Sequence, residues 1–295
     1  MRPADKRELV SYVVAEHSKS VRWACCLLCL SRTVFYYQAV PKDDSQIIAA
    51  LSDLAARFPN VGFSQMFHRL RDEGHGWNHK RVYRVYKELK LNLRRKHKRR
   101  LPERPKQHIA WPIRPNHTWS MDFMADSLYR GGRFRLLNII DDHNRECLAM
   151  EVGTSLPALR VIRTLERILE WRPKPDSIRV DNGPEFDSIA LKKWCSDRDI
   201  ELKFIRPGKP TDNSYIERFN RTVRTELLNA WVFHNLRQVR DQVFEFMDDY
   251  NLKRPHQALG NVSPVKFAAR IKVQSGALDR PPNPQAGLFS MENLN

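Results

Sequence analysis

Three acidic residues occupy positions from which a carboxylate can reach a reacting group. Asp122 is embedded in the β-type run Trp119-Ser120-Met121-Asp122-Phe123, and Asp181 directly follows Ile178-Arg179-Val180. Glu217 lies in a helical stretch, Asn213 to Arg221, with 35 residues between it and Asp181. Three carboxylates crowded together repel one another unless cations bind among them, so this set implies metal. Mg²⁺ is a hard cation that prefers oxygen ligands and keeps several waters, so a few carboxylates plus a substrate phosphate suffice. Two such ions about 3.5–4 Å apart stabilise both the attacking and leaving oxygens of an in-line phosphoryl displacement. Gly183 and Pro184, just after Asp181, turn the chain away and leave that side chain at a sheet edge.

The stretch bearing Glu217 has the pattern of a helix with two stripes. Ile216, Phe219, Val223 and Leu227 recur at three and four, as a core face does. Glu217, Arg221 and Arg224 form a separate stripe, and a carboxylate with arginines one and two turns on suits a metal ligand beside a phosphate track. The plain alternative is a surface Glu–Arg pair of a few tenths of a kcal/mol, and in isolation that alternative wins. Among the other polar residues nearby, Asp212 and Asn213 are expected to cap the helix, and Glu185 to support the site from behind.

These positions need a scaffold, and the surrounding pattern supplies one. Thr118–Met124, Phe134–Ile140 and Cys147–Val152 read as successive strands, followed by an amphipathic helix over Leu156–Trp171. A strand at Ser177–Val180, a helix at Ser188–Cys195, a strand at Ile200–Ile205, a helix from about Asn213 and a closing helix at Leu236–Tyr250 complete the series. Strands in succession and then alternating α and β describe an α/β, ribonuclease-H-like core with a central mixed sheet flanked by helices. Upstream the chain reads as all-α. Apolar residues from Ile47 to Phe58, then Met66, Phe67 and Leu70, then Val82, Val85, Tyr86 and Leu89 mark three helices, the last capped by Asn78. Lys80, Arg81, Arg84 and Lys87 lie on or beside the other face of the third helix. This is a helix-turn-helix-like unit whose last helix can enter a major groove, or else a small bundle with a solvated basic face.

Charge favours the first option. Lys and Arg number 51 against 34 Asp and Glu, a formal net charge of +17, and a polyanion is the usual neutraliser of such an excess. The basic run Arg94-Arg95-Lys96-His97-Lys98-Arg99-Arg100, followed by Pro102, Pro105 and Pro112, reads as a linker tracking a phosphate backbone. The same letters fit a nuclear-localisation signal in a eukaryotic host. No apolar run approaches the roughly 20 residues of a membrane span, so the expectation is a cytoplasmic, nucleoid-associated protein. Cys25, Cys26 and Cys29 lack a second pair at zinc-site spacing and read as small buried helix residues, while Cys147 and Cys195 fall in apolar stretches.

The combination of Trp119-x-x-Asp122, Val180-Asp181-Asn182-Gly183-Pro184-Glu185-Phe186, Arg206-Pro207-Gly208-Lys209-Pro210 and Asn213-x-x-Ile216-Glu217-x-Phe219-Asn220 resembles the integrase-like transposases of bacterial insertion sequences. More narrowly, it looks like the OrfB products of two-frame elements, whose core is similar to retroviral integrase. Tyr250-Asn251-x-x-Arg254-Pro255-His256-Gln257-Ala258-Leu259-Gly260 with Ser263-Pro264 matches the closing signature, and residues 47–91 resemble the upstream helix-turn-helix-like domain. Val61-Gly62-Phe63 departs from the usual aromatic-Gly-aromatic turn, and Asn144-Arg145 from a usual Ser-Arg. The resemblance implies Asp122, Asp181 and Glu217 as catalytic and metal-binding residues, with two Mg²⁺ ions (Mn²⁺ as a substitute). It implies cleavage at element ends followed by attack of the freed 3′-OH on a second phosphodiester. Asp141 matches a strand-end position and is expected to form a turn, and His256 is expected to make a structural hydrogen bond.

The resulting organisation is a helical segment over 1–45, a helix-turn-helix-like domain over 46–92, a basic linker over 93–112, a catalytic core over 113–270 and a tail over 271–295. The expected partner is double-stranded DNA, both terminal inverted repeats and target. The residues expected to touch it are Lys80, Arg81, Arg84, Arg94, Arg95, Lys96, Lys209, Asn213, Arg221 and Arg224. Bringing two DNA ends together calls for a homo-oligomer, and the family adds an upstream-frame (OrfA-type) protein or fusion as a partner. Two rival readings remain: a ribonuclease-H-like nuclease that does not join strands, and a catalytically silent DNA-binding regulator.

Overall fold

The computed structural model describes residues 1–38, 43–93, 112–206 and 213–274. The basic linker, including Arg94, Arg95 and Lys96, the loop bearing Lys209, and most of the tail lie outside the described residues. The chain divides into two compact units, residues 1–46 and 47–295.

The first unit consists of α1 (Pro3–His17), α2 (Val21–Leu27) and α3 (Arg32–Tyr36) around Val10, Ala24, Cys25 and Leu30. Ser20 Oγ accepts from the Trp23 amide and Ser31 Oγ from the Val34 amide, each satisfying an otherwise orphaned N–H at the start of a short helix. Of the three clustered cysteines only Cys25 is buried. Cys26 and Cys29 are exposed, which corrects the expectation of a buried trio: α2 turns one face to Val10, and Cys29 lies beyond its end with φ 46°.

In the second unit, α4 (Ser45–Arg57), α5 (Phe63–Asp72) and α6 (His79–Glu88) follow the apolar periodicity and share a core of Ile47, Leu51, Leu54, Met66, Leu70, Val82, Val85 and Tyr86. Gly74 ends α5 at φ +94°, a conformation costly to a side chain, and Asn78 Oδ1 accepts from the Lys80 amide to begin α6. Arg69, 5% exposed, fixes this helical domain to the rest of the unit. Its guanidinium donates to both carboxylate oxygens of Asp249 (2.7 and 2.6 Å) and stacks on the ring of Phe58.

The remainder is one five-stranded mixed sheet in the order β3-β2-β1-β4-β5. β1 (Thr118–Ser127), β2 (Arg133–Asp141) and β3 (Cys147–Gly153) form an antiparallel meander, while β4 (Ser177–Val180) and β5 (Glu201–Phe204) run parallel to β1. The connections are α7 (Ala158–Leu169) between β3 and β4, and α8 (Ile189–Ser196) between β4 and β5. Period-two alternation divides the strands between two cores. Trp119, Met121, Leu137, Ile139, Ile178 and Val180 face Val161, Leu165 and Ile168 of α7 and Leu191 and Trp194 of α8. Phe134, Leu136, Ile140, Met150 and Val152 face Ile216 and Phe219 of α9 (Ser214–Thr222) and Val239 and Val243 of α10 (Leu236–Asp248). Burying each such side chain contributes roughly 1.5–3 kcal/mol.

Two helices end in wider, π-helical turns. α9 passes into Val223–Leu228, and α10 into Asp249–Lys253, before a 3₁₀ turn at Gln257–Leu259 and α11 (Pro264–Gln274). A π turn adds a residue per turn and so shifts the stripe that follows it. Among the described residues no helix is long and apolar enough to cross a membrane.

Candidate active site

Asp122 points to the α9 side of the sheet, because its neighbours Met121 and Phe123 belong to the opposite core. The parallel pairing of β1 and β4 runs Thr118–Ser177, Trp119–Ile178, Ser120–Arg179. Two steps further along each chain lie Asp122 and Asp181, so the acids occupy equivalent levels of adjacent segments. Beyond β4 the Gly183 amide donates to Asp181 Oδ1 (3.0 Å). A Cβ on residue 183 would sit 3.0 Å from that same oxygen, so any other residue here would crowd the Asp181 carboxylate. The loop is anchored by the fully buried Phe186, which stacks on Phe123 at 4.8 Å. Glu217 lies exposed in the first turn of α9, held over the sheet by the buried Ile216 and Phe219, where the helix dipole favours negative charge.

Asp122 senses the other two acids. Burial pushes the Asp122 carboxyl up to about 6, and the nearby charges of Asp181 and Glu217 push it the same way. Two hydrogen bonds oppose this: the Phe123 amide donates to Oδ1 and Asn220 Nδ2 to Oδ2, both at 2.7 Å. Asn220 Oδ1 in turn accepts from Nδ2 of Asn138, a fully buried residue directly across from Asp122 on β2. Neither asparagine is among the expected site residues, although Asn220 closes the motif around Glu217 and Asn138 is a lone amide within the apolar run Leu136-Leu137-Asn138-Ile139-Ile140.

None of Asp122, Asp181 and Glu217 forms an ion pair among the described residues, although three of the surrounding arginines do. Arg135 binds Glu185 while lying over the Phe123 ring, and this arginine holds the Glu185 carboxyl below its ordinary range. Arg224 donates to Asp126 Oδ2 (2.5 Å) and to the Ala125 carbonyl (2.7 Å). Arg179 pairs with Asp142 at 2.8 Å. As they stand, no three His, Cys, Asp or Glu among the described residues form a closed metal-holding group. The donor set nonetheless suits a hard divalent cation: all-oxygen ligands, uncompensated charge, and mutual repulsion that a cation would relieve.

The other expected site residues are dispersed. Arg221 is exposed one turn beyond Glu217 and has no ion pair among the described residues. Arg224, in the π-helical turn after α9, is engaged by Asp126 and the Ala125 carbonyl near the end of β1. Asn213 is 3% exposed; its side chain makes no capping bond, contrary to expectation, and its Oδ1 is buried without a partner. On α6, Lys80 is exposed, Arg81 half-buried, and Arg84 bonded to Glu88 one turn on (2.9 Å). Asp141 is fully buried as a turn former, accepting from the amides of Asn116 and His143 and pairing with Arg172 at 2.8 Å. His256 packs edge-on against Tyr250 at 4.6 Å, and burial drives its pKa down to about 3, so it is a neutral structural ring.

Comparison with known proteins agrees with this architecture. Residues 112–210 and 198–264 match the integrase core domain, and residues 42–99 match an HTH-like domain. An uncharacterised 31.7 kDa protein of insertion element IS407 from Burkholderia multivorans is 39% identical, covering 88% of this chain and 94% of that protein. A putative transposase of insertion sequence element IS150 from Escherichia coli is 24% identical over 81% of this chain and 89% of its own length. In fold the chain is similar to a protein of the simian T-cell lymphotropic virus intasome (TM-score 0.50, 17% identity, 80% of this chain and 77% of that one). The chain belongs to the insertion-element transposases of the OrfB type, with an integrase core domain behind a helix-turn-helix-like domain.

Proposed function

We propose that this transposase cleaves DNA at the ends of its element and joins the freed ends to a second strand. In the first step water attacks a phosphodiester and the P–O3′ bond breaks, leaving a 3′-OH. In the second that hydroxyl attacks another phosphodiester: one P–O bond forms, one breaks, and a new 3′-OH leaves. Asp122, Asp181 and Glu217 are the proposed catalytic residues and would hold two Mg²⁺ ions, or Mn²⁺ in their place. Bound there, the ions would activate the attacking oxygen and stabilise the leaving one. The observation that carries this reading is the uncompensated acid group: Asp122 and Asp181 at one level of adjacent segments, with Glu217 close enough to raise the Asp122 carboxyl.

The chain's own residues then supply orientation and DNA binding. Gly183 and Asn220 hold the carboxylates of Asp181 and Asp122 by hydrogen bonds. Lys80, Arg81 and Arg84 on α6 would enter a major groove, while Arg221, Lys209 and the run Arg94-Arg95-Lys96 would bind phosphates. The two DNA ends call for a homo-oligomer, with an upstream-frame protein or fusion as a further partner. The deciding experiment supplies a duplex carrying the element's own ends and Mg²⁺, and follows cleavage and joining separately. Wild type should do both, and Asp181→Asn should do neither while still shifting the duplex in a gel. An active Asp181→Asn would remove the metal assignment, and cleavage without joining would leave only a nuclease.

A further inference from the structure

Asn138 occupies a position where the sheet pattern calls for an apolar side chain. Its row on β2 is Phe134, Leu136, Asn138, Ile140, and the other three all belong to the core beneath α9 and α10. Asn138 itself is fully buried. A buried amide without compensating bonds destabilises a core, and this one is only half satisfied: Nδ2 donates to Asn220 Oδ1 at 2.7 Å, but Oδ1 has no partner. Leucine would fit the row's chemistry better. The amide is therefore unfavourable for packing, and its one bond leads toward the acid group.

That bond reinforces the orientation of the Asn220 amide that the Asp122 carboxylate calls for. An asparagine side chain carries a donor and an acceptor of nearly equal shape, and a flip exchanges them. With Asn138 Nδ2 engaging its oxygen, Asn220 must present Nδ2 to Asp122 Oδ2, as it does at 2.7 Å. Flipped, it would direct an oxygen lone pair at a carboxylate. The strand register supports the geometry, because Asp122 and Asn138 are direct partners across β1 and β2 and so present their side chains to the same face.

We propose that Asn138 is a positioning residue for the acid group: acting solely through Asn220, it locks the amide that orients the Asp122 carboxylate for divalent-cation binding and strand cleavage. This deepens the functional reading above and rests on it. Groups behind a metal ligand typically change metal affinity or activity by about 10–100-fold when removed. Asn138 stands one step further back, so the expected effect is near the lower end.

The test uses the full chain with Asn138→Leu, Asn220→Ala and the double variant. Mn²⁺ binding is measured by electron paramagnetic resonance, and cleavage of the element-end duplex is measured beside it. Asn138→Leu should weaken Mn²⁺ binding and slow cleavage by about tenfold. Its melting temperature should be equal or higher, because an unsatisfied buried amide has been removed. Asn220→Ala should be weaker still, and adding Asn138→Leu to it should change neither readout by more than about twofold. Should leucine fail to be accommodated, Asn138→Ala removes the same donor without adding volume and carries the same expectations for Mn²⁺ binding and cleavage. The proposal is overturned if the donor-less variants bind Mn²⁺ and cleave as wild type does, or if their effects add to those of Asn220→Ala. Asp122→Asn separates the two levels of inference: if it remains active the carboxylate reading itself has failed, whereas a dead Asp122→Asn beside a normal Asn138→Leu refutes only the role of Asn138.

Discussion

Two groups of acids lie within a strand's length of each other, and the fold treats them differently. At the end of β2, beside the start of β1, Asp141 and Asp142 are both fully buried, and each has an arginine: Arg172 on the first and Arg179 on the second, both at 2.8 Å. Three residues along β1 from Trp119, Asp122 begins the other group, in which Asp122 and Asp181 are held by amides alone. Amide donors orient a carboxylate without cancelling its charge. The first group has its counter-charges within the chain, while the second has none among the described residues. A buried charge neutralised internally is part of the scaffold; one aimed but left uncompensated is prepared for a ligand.

The comparison is broken most forcefully by exchanging consequences between the groups. Arg172 also donates to Glu146 and to Asn116, so Arg172→Met strips Asp141 of its cation in a dry site. Unfolding free energy should fall by about 3–5 kcal/mol, read from urea denaturation, while activity per folded molecule stays near wild type. Glu217→Gln should do the reverse, abolishing cleavage at unchanged denaturation midpoint because its side chain is exposed. A Glu217→Gln protein that unfolded readily, or an Arg172→Met protein that was stable and inert, would collapse the distinction.

A middle-sized effect concerns pH. Burial pushes the Asp142 carboxyl up to about 6 in spite of Arg179, from an unfolded value near 3.8. The folded state thus holds this proton more tightly than the unfolded one. Its contribution favours folding below about pH 4 and is lost as pH rises to 6, an effect of up to about 3 kcal/mol. Asp142→Asn should therefore gain stability relative to wild type on going from pH 4.5 to 7.5. Parallel denaturation midpoints across that range would show that Asp142 is not the titrating group.

Much of this contrast is legible in the residues alone, and the part that is not has a physical reason. The strands at Phe134–Ile140 and Ser177–Val180 and the helix from Asn213 can be read because period-two and period-3.6 apolar patterns survive in one dimension. Asp122, Asp181 and Glu217 can be read through their motifs and their places beside those elements. Spacing alone puts Arg224 on a phosphate-facing stripe, because its bond to Asp126, 98 positions away, leaves no mark in the local pattern. Asn138 shows only as a lone amide in an apolar strand, because its significance lies in a bond to a residue 82 positions away. The exposure of Cys26 and Cys29 is hidden for a similar reason: a short helix with apolar residues all round does not reveal which face its few neighbours cover.

The smallest effect sharpens the contrast among the arginines. Arg221, near the end of α9, and Arg224, in the turn that follows, stand three residues apart, yet among the described residues only Arg224 has an acid, bonding Asp126 and the Ala125 carbonyl. If uncompensated charge marks groups meant for a ligand, the two should separate in DNA binding. Removing one cation that neutralises a phosphate lowers the slope of log affinity against log salt by about one unit. Arg221→Ala should lower that slope by about one while leaving the denaturation midpoint unchanged. Arg224→Ala should leave the slope alone and lower stability by no more than about 1 kcal/mol, since its pair is partly open to solvent. Affinity measured from about 50 to 200 mM salt on one duplex distinguishes them. Equal slopes for both variants would mean that pairing in the folded chain does not sort structural arginines from DNA-facing ones. In that case the same inference for the acids would rest on Asp122, Asp181 and Glu217 alone.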